Sequence, residues 1–403
     1  MPVFAAFLGH NPPLSRSELA SAFADISFGD LVAKQVQIFE TSASLDQSSL
    51  DMLGGTVVLV KRISDVGATL GNIPHVLAVE LAGVKGKATF SLRTAGLSPG
   101  EVRALYRDCK EHLKQKGISS RYIGSDRDPA LSIQLIDEEL LDGKKGVELV
   151  VLRDRKHFWI GRTIAAQDTK SYTKRDMEKP VRDTSVGLLP PKLAQVLINL
   201  GLSLVRSKEG QLPSSITVFD PFCGTGVIPM ECMLRGFHML ASDVSPKAVT
   251  GCEKNIEWMR KVYDIKKDVS SHVWKQDATK AFALEKKPDV IITETTLGPA
   301  LKKRPLPKEI TAYKKEVEAI EAGFLKNAST ALKGVPIVCM WPVWYGPKGP
   351  VFCDKLPDIA VKHGYKLVLP PETESMIPGR ISLLYRRSDQ FVGREIVLLK
   401  PKR

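Results

Sequence analysis

The sequence predicts a doubly wound α/β sheet closed by an antiparallel hairpin, preceded by smaller α+β modules. Three observations predict it. After residue 191, apolar strand patterns alternate with helical patterns almost to the C-terminus, as in a parallel sheet covered by helices on both faces. One of those strands ends in Asp220-Pro221-Phe222-Cys223-Gly224-Thr225-Gly226, an acid followed by a tight glycine turn. The residues before 165 instead mix short strands with single helices, and 403 residues at ~100–200 per domain call for two or three domains.

The elements follow in order. Val3–Leu8 reads as a strand, Gly9-His10-Asn11-Pro12-Pro13 as a turn and Ser17–Phe23 as a helix. Strand runs at Leu31–Phe39 and Thr56–Val60, separated by a helical stretch near Leu50, complete a module over residues 1–72, punctuated by Gly67, Gly71 and Pro74. A second module, residues 73–165, has strands at His75–Leu81 and Ala88–Arg93. A helix starting at Ser98-Pro99-Gly100-Glu101 follows, with a polar face of Arg103, Arg107, Lys110, Lys114 and Lys116. It ends in a hairpin, Val147–Arg153 with His157–Ile160, turned at Asp154-Arg155-Lys156. Residues 166–190 are polar and Pro/Gly-punctuated, which predicts a linker.

The domain at 191–403 opens with an amphipathic helix carrying Leu193, Val196, Leu197 and Leu200 at i, i+3, i+4 and i+7. Strands are predicted at Ile216–Asp220, Met239–Val244, Val273–Gln276, Val290–Glu294 and Pro336–Trp341, with a closing hairpin of Ser382–Arg386 and Glu395–Lys400. Helices are predicted near 227–236, 246–262 and 310–333.

Composition excludes whole classes. With 43% hydrophobic and 26% charged residues, the chain is not globally disordered. No apolar run approaches the ~18–20 residues of a membrane helix, and the N-terminus lacks a basic leader, so a cytoplasmic protein is expected. Cys109, Cys223, Cys232, Cys252, Cys339 and Cys353 form no C-x-x-C pair, which predicts reduced thiols and no metal site. The net charge of +13 is uneven. Residues 1–150 hold 16 Lys+Arg against 18 Asp+Glu, and residues 151–403 hold 42 against 27. An excess of +15 in the second part predicts an anionic partner, nucleic acid before membrane surface.

The chemistry is predicted at the strand ends, where open α/β sheets bind ligands. Gly224 and Gly226 allow a close approach of backbone to ligand. In a nicotinamide enzyme this turn would cradle a pyrophosphate, but the third glycine is replaced by Pro229, and Asp220 would repel that group. A carboxylate there suits a ligand bearing an ammonium group, such as S-adenosylmethionine. Asp243, followed by Val244 at the next strand end, is placed to take ribose hydroxyls. Asp277, followed by Ala278, is placed for an adenine amino group.

Asp-Pro-Phe-Cys-Gly-Thr-Gly at 220–226, Ser-Asp-Val-Ser at 242–245 and Gln-Asp-Ala at 276–278 resemble the class I S-adenosylmethionine-dependent RNA methyltransferases of the tRNA guanosine-N2 type that carry ferredoxin-like and THUMP modules. Arg175-Asp176 through Pro180-Val181-Arg182-Asp183, then Gly187 and Leu189–Ala194, is similar to the segment introducing that catalytic domain. The resemblance covers residues 170–300 and the C-terminal hairpin; over residues 1–160 it rests on element order. It implies a Rossmann-like methyltransferase domain at 191–403, a ferredoxin-like module at 1–72 and a THUMP-like RNA-binding module at 73–165. It also implies S-adenosyl-L-methionine as cofactor, held by Asp220, Phe222, Cys223, Gly224, Thr225, Gly226, Asp243, Val244, Asp277 and Ala278, and RNA, tRNA first, as partner.

The fourth strand departs from that family, whose motif is an acid or Asn, two prolines and an aromatic. Here Glu294-Thr295-Thr296-Leu297-Gly298 stands instead, so Glu294 with Thr295 and Thr296 is the candidate catalytic set that receives an exocyclic amine. Lys302, Lys303 and Arg304 just beyond, with Lys110 and Lys114 in the second module, are candidate RNA contacts. Trp341, Trp344 and Tyr345 are candidates for the missing stacking ring, although core packing is the commoner fate of such residues. A DNA amino-methyltransferase and a non-catalytic RNA-binding protein remain alternatives, with a nicotinamide oxidoreductase behind both.

Overall fold

The computed structural model describes residues 1–402 apart from 65–68, 126–127, 155–156 and 184–187. Gly67, Gly187 and the turn residues Arg155 and Lys156 therefore lie outside the described residues. The chain divides into two compact units, Met1–Arg16 with Asp25–Thr173, and Ser17–Ala24 with Lys174–Arg403.

The chain up to residue 177 holds β1 (Val3–Leu8), α1 (Pro12–Ala22), β2 (Ser27–Val32), β3 (Val36–Glu40), α2 (Gln47–Asp51), β4 (Thr56–Ser64) and α3 (Ile73–Leu81). It continues with β5 (Ala88–Ala95), α4 (Pro99–Gln115), β6 (Ser120–Tyr122), α5 (Ser132–Asp137), β7 (Gly146–Asp154), β8 (His157–Ala166) and α6 (Thr169–Met177). The strands of the first unit form one sheet in the order β2-β3-β1-β4-β8-β7-β5-β6. The segments read as two modules, 1–72 and 73–165, thus share a sheet through the β4–β8 ladder. Ser98 and Glu101 cap α4 reciprocally: the Ser98 hydroxyl accepts from the Glu101 N–H, and the Glu101 carboxylate accepts from the Ser98 N–H. Buried Glu148 is fully engaged, accepting from Arg93 Nε at 2.9 Å and Thr163 Oγ1 at 2.6 Å.

Three expectations are corrected here. His75–Leu81 is helix, not strand: Pro74 occupies the first turn, and Ile73, Leu77, Ala78 and Leu81 are buried at helical spacing. The run Leu31–Phe39 is not one strand but the facing ends of β2 and β3, turned through Ala33 and Lys34 at φ +49° and +62°. Residues 166–190 are not a bare linker, because α6 lies within them and the Arg175 and Lys179 side chains are buried. Composition counts charges but does not see that they are paired.

The second unit continues with α7 (Pro191–Val205), β9 (Thr217–Asp220), α8 (Val227–Leu234), β10 (His238–Asp243), α9 (Pro246–Val262), β11 (Ser271–Lys275), β12 (Val290–Glu294) and α10 (Pro307–Ala331). It ends with β13 (Ile337–Gly346), β14 (Gly349–Val351), α11 (Leu356–Lys362), β15 (Tyr365–Val368), β16 (Leu383–Tyr385) and β17 (Val392–Pro401). The sheet order is β11-β10-β9-β12-β13-β17-β15. The five strands β11 to β13 along that order are parallel, and β17 runs antiparallel to β13, β15 and β16. From β9 the chain winds one way through β10 and β11, then returns to the other side of β9 at β12. That reversal is the topological switch point where such sheets take ligands. Trp341, Phe324, Ile337 and Val397 fill the core on the α10 face. Among the described residues, no helix is long and apolar enough to cross a membrane.

Candidate active site

β9 is buried throughout, so its last residue, Asp220, ends inside the protein at 1% exposure. Thr293 Oγ1, one residue before the end of β12, donates to Asp220 Oδ1 at 2.6 Å, and the Phe222 N–H donates to the same oxygen at 3.1 Å. Burial outweighs these bonds and pushes the acid up to about 7.

The glycine turn follows directly. Gly224 has φ +51° with nothing within 4 Å of where a Cβ would stand, so the turn leaves an open cradle there. Gly226, at φ +90°, has the opposite reason to be glycine: a Cβ would lie 2.6 Å from Cys252 Sγ. Phe222 turns its ring inward against Phe324, and Cys223 is buried, its thiol pushed up by the neighbouring Cys252 thiol and by burial.

Asp243 ends β10 and braces the turn, accepting from the Gly224 N–H at 3.0 Å and the Ser245 N–H at 2.8 Å. Val244 beside it is 63% exposed, an apolar surface next to the cradle. Asp277, after β11, is held below the usual carboxylate range by the Thr279 hydroxyl and N–H, and Ala278 is buried. The three acids thus stand at the carboxyl ends of β9, β10 and β11, neighbours in the sheet. An open cradle, a buried acid and an exposed apolar side chain together fit a ligand with an ammonium group, a diol and a flat ring.

Glu294 ends β12. Arg394 Nε of β17 donates to its Oε1 at 2.5 Å, while Oε2 has no hydrogen-bond donor among the described residues. Burial pushes this acid up and Arg394 pulls it back. Thr295 is buried, its hydroxyl donating to the Met340 carbonyl at 2.6 Å, so it fastens the start of the segment to β13. Thr296 Oγ1 accepts from the Gly298 N–H at 3.4 Å. Trp341 and Trp344 are fully buried and belong to the core, whereas half-buried Tyr345 carries Arg386 over its ring at 3.6 Å.

Lys302, Lys303 and Arg304 are exposed, between Leu301, which packs on the core, and buried Pro305. Lys110 and Lys114 belong to the first unit. Lys110 Nζ donates to the Ser120 carbonyl at 2.8 Å, and both lysines line a groove along α4.

Sequence reasoning missed the residues that hold this arrangement. Asn255 Nδ2 donates to the Thr225 and Val181 carbonyls at 2.8 and 2.9 Å, tying the segment before α7 to the glycine turn. Arg175 Nε pairs with buried Glu231 at 2.7 Å, and Gln195 completes that carboxylate. An Asn on the apolar face of α9 and a Glu inside apolar α8 were the readable signals, since buried polar groups need partners.

Over the whole of both chains, the protein superposes on TrmN from Thermus thermophilus with a TM-score of 0.53 at 14% identity. With the sheet order above, this gives the chain the Rossmann-like class I methyltransferase fold. In sequence it is 29% identical over 154 residues to the tRNA (guanine(10)-N2)-dimethyltransferase of Methanothermobacter thermautotrophicus, covering 38% of each protein. It is 28% identical over 180 residues to the protein of the same name from Methanocaldococcus jannaschii, covering 43% of each. The chain therefore spans less than half the length of these curated relatives. No protein-family model matches it.

Proposed function

We propose that the protein transfers a methyl group from S-adenosyl-L-methionine to an exocyclic amine of a nucleobase in RNA, with guanine N2 of tRNA the first substrate to test. One observation carries the reading: three acids stand at adjacent strand ends, and the glycine turn that follows the first of them is left-handed and leaves an open cradle. The partial likeness to two tRNA guanine-N2 enzymes supports the choice of substrate. Asp220 would hold the ammonium group, Asp243 the ribose and Asp277 the adenine edge, with Val244 against the ring. When bound, the cofactor supplies an electrophilic methyl on a sulfonium. Glu294 Oε2 would accept a hydrogen bond from the amine and fix its lone pair in line with that methyl. The methylated amine would give up a proton to solvent, and the cofactor would leave as the neutral thioether. Lys302, Lys303 and Arg304 would grip RNA phosphates; Lys110 and Lys114 are separate candidate RNA contacts of the first unit.

The test is nucleoside analysis of RNA and DNA incubated with protein and labelled cofactor. Labelled N2-methylguanosine is the expected product, and label in DNA alone would move the substrate to the other nucleic acid. A second reading, a non-catalytic RNA-binding protein, is favoured by the buried Thr295 hydroxyl, which is spent on the Met340 carbonyl. It predicts RNA binding with no label in any base.

Two further results are expected. Because Asp220 sits near pKa 7 and an ammonium ligand needs it ionised, cofactor affinity should fall about tenfold per pH unit below 7. Calorimetry should show proton release on binding, and Asp220→Asn should lose both the affinity and the slope. A pH-independent affinity in the wild type would remove Asp220 from the ligand. Replacing Lys302, Lys303 and Arg304 with Ala should flatten the dependence of RNA affinity on salt. The log–log slope should shrink by up to ~0.7–0.9 for each phosphate that is no longer neutralised. An unchanged slope would make that loop ordinary solvated surface.

A further inference from the structure

We propose that Arg394 is a positioning residue of this site: carried on β17, its guanidinium fixes the Glu294 carboxylate through Oε1 and so presents Oε2 to the target amine. The inference rests on the methyltransferase reading above. Its geometric basis is independent of any relative, because the two residues lie 100 positions apart and meet only through the antiparallel closure of the sheet.

Arg394 is itself held from several sides. It stands opposite Pro342 of β13 and Tyr385 of β16 in the ladders. Its guanidinium lies 5.8 Å from the Tyr385 ring, and Nη1 donates to Gln390 Oε1 at 3.4 Å. The Arg394 side chain is 3% exposed and that of Glu294 14%, so both partners are largely screened from water and the carboxylate is the more accessible of the two.

Among the described residues, the charged and titratable groups acting on Glu294 are few. Arg394 comes from β17 and Asp220 from β9, whose carboxyl feels the Glu294 charge. β13 places Met340 beside it, and α7 meets β12 through Gly201 against Ile292 and Val290. A buried carboxyl without a cation would take up a proton. A protonated carboxyl adds a donor of its own, which competes with an amine N–H for the acceptor oxygen. Arg394 therefore sets both the direction and the ionisation of Glu294, while its own atoms need not touch the substrate.

The test compares wild type, Arg394→Gln and Arg394→Lys in methyl transfer from labelled cofactor to tRNA transcripts between pH 6 and 9.5. Cofactor affinity and melting temperature are measured on the same samples. Arg394→Gln should lower kcat at pH 7 roughly 10- to 100-fold, the worth of one charged hydrogen bond at a reacting centre. Its cofactor affinity should stay within about threefold, as for a residue outside the cofactor site. The acidic limb of its kcat profile should move up by about a pH unit or more, so that part of the rate returns at pH 9. Arg394→Lys keeps the charge and should restore most of the rate and the wild-type limb. If Arg394→Gln fails to fold, Arg394→Ala assayed with and without millimolar guanidinium replaces it: a rate that returns with guanidinium supports the role, and a folded variant with no rate defect overturns it. A loss equal at every pH, or an unaltered rate, overturns the positioning role while leaving the methyltransferase reading intact. A wild type inert toward RNA and DNA overturns that reading and this inference with it.

Discussion

Glu294→Ala is expected to slow methyl transfer ~100- to 1,000-fold, the usual cost of deleting one oriented hydrogen-bonding group at a reacting centre. Glu294 is the ionisable residue that ends β12, and its Oε2 is the oxygen left without a donor among the described residues. Cofactor affinity should hardly change, because the acids assigned to the cofactor end β9, β10 and β11 instead. The alanine variant has a second consequence. It leaves the Arg394 guanidinium buried and unpaired, and breaking a buried pair typically costs ~3–5 kcal/mol of stability. Glu294→Gln separates the two effects: its amide oxygen still accepts from Arg394 Nε, so stability suffers less while the charge is gone. A rate defect in the glutamine variant at unchanged melting temperature would assign Glu294 to the chemistry. Wild-type turnover in a folded alanine variant would show that another group holds the amine.

That the same residue was legible in the sequence while its partner was not has a physical reason. Asp220, Asp243, Asp277 and Glu294 each end a local strand pattern, and the fold places every such end on one side of the sheet. Adjacency along the chain therefore suffices to find them. Arg394 and Asn255 act across the fold, through β17 pairing and through the face of α9, so nothing near them in sequence announces what they touch. The same limit explains residues 166–190, whose Arg175 reads as solvated until Glu231 is placed against it. α3 failed differently: Pro74 was legible, but as a boundary between elements when it is the first turn of one. In the aromatic run 341–345 the residue types fitted stacking and core equally, and only burial separates Tyr345 from the two tryptophans.

Glu321→Gln should change strongly how the stability of the second unit depends on pH. Glu321 lies on α10, fully buried, and neither carboxyl oxygen has a hydrogen-bond partner among the described residues. The contrast with Glu395 on β17 is direct, since that equally buried acid accepts from Arg380 Nε and Nη2 and from Ser382 Oγ. Burial pushes Glu321 up to about 8, with Thr295 and Trp341 beside it pulling weakly the other way. It is therefore neutral in the folded protein at pH 7 and ionised in the unfolded chain. For an acid whose folded pKa is raised, the stabilising contribution is complete below the unfolded pKa of about 4.5 and is lost as pH rises to the folded value of about 8. Across that window the wild type should lose about 1.4 kcal/mol per pH unit from this one group, on the order of 4–5 kcal/mol in all. Glutamine keeps the shape and cannot titrate, and its unpartnered amide adds a penalty of about 1–3 kcal/mol that does not vary with pH. Urea unfolding of both proteins at pH 5, 6, 7 and 8 isolates the effect, because every other titrating group cancels in the difference. The stability of the variant relative to wild type should climb by on the order of 4 kcal/mol from pH 5 to 8. A difference that stays flat would mean that Glu321 is ionised in the fold and has a cationic or water partner beneath the Thr295 segment.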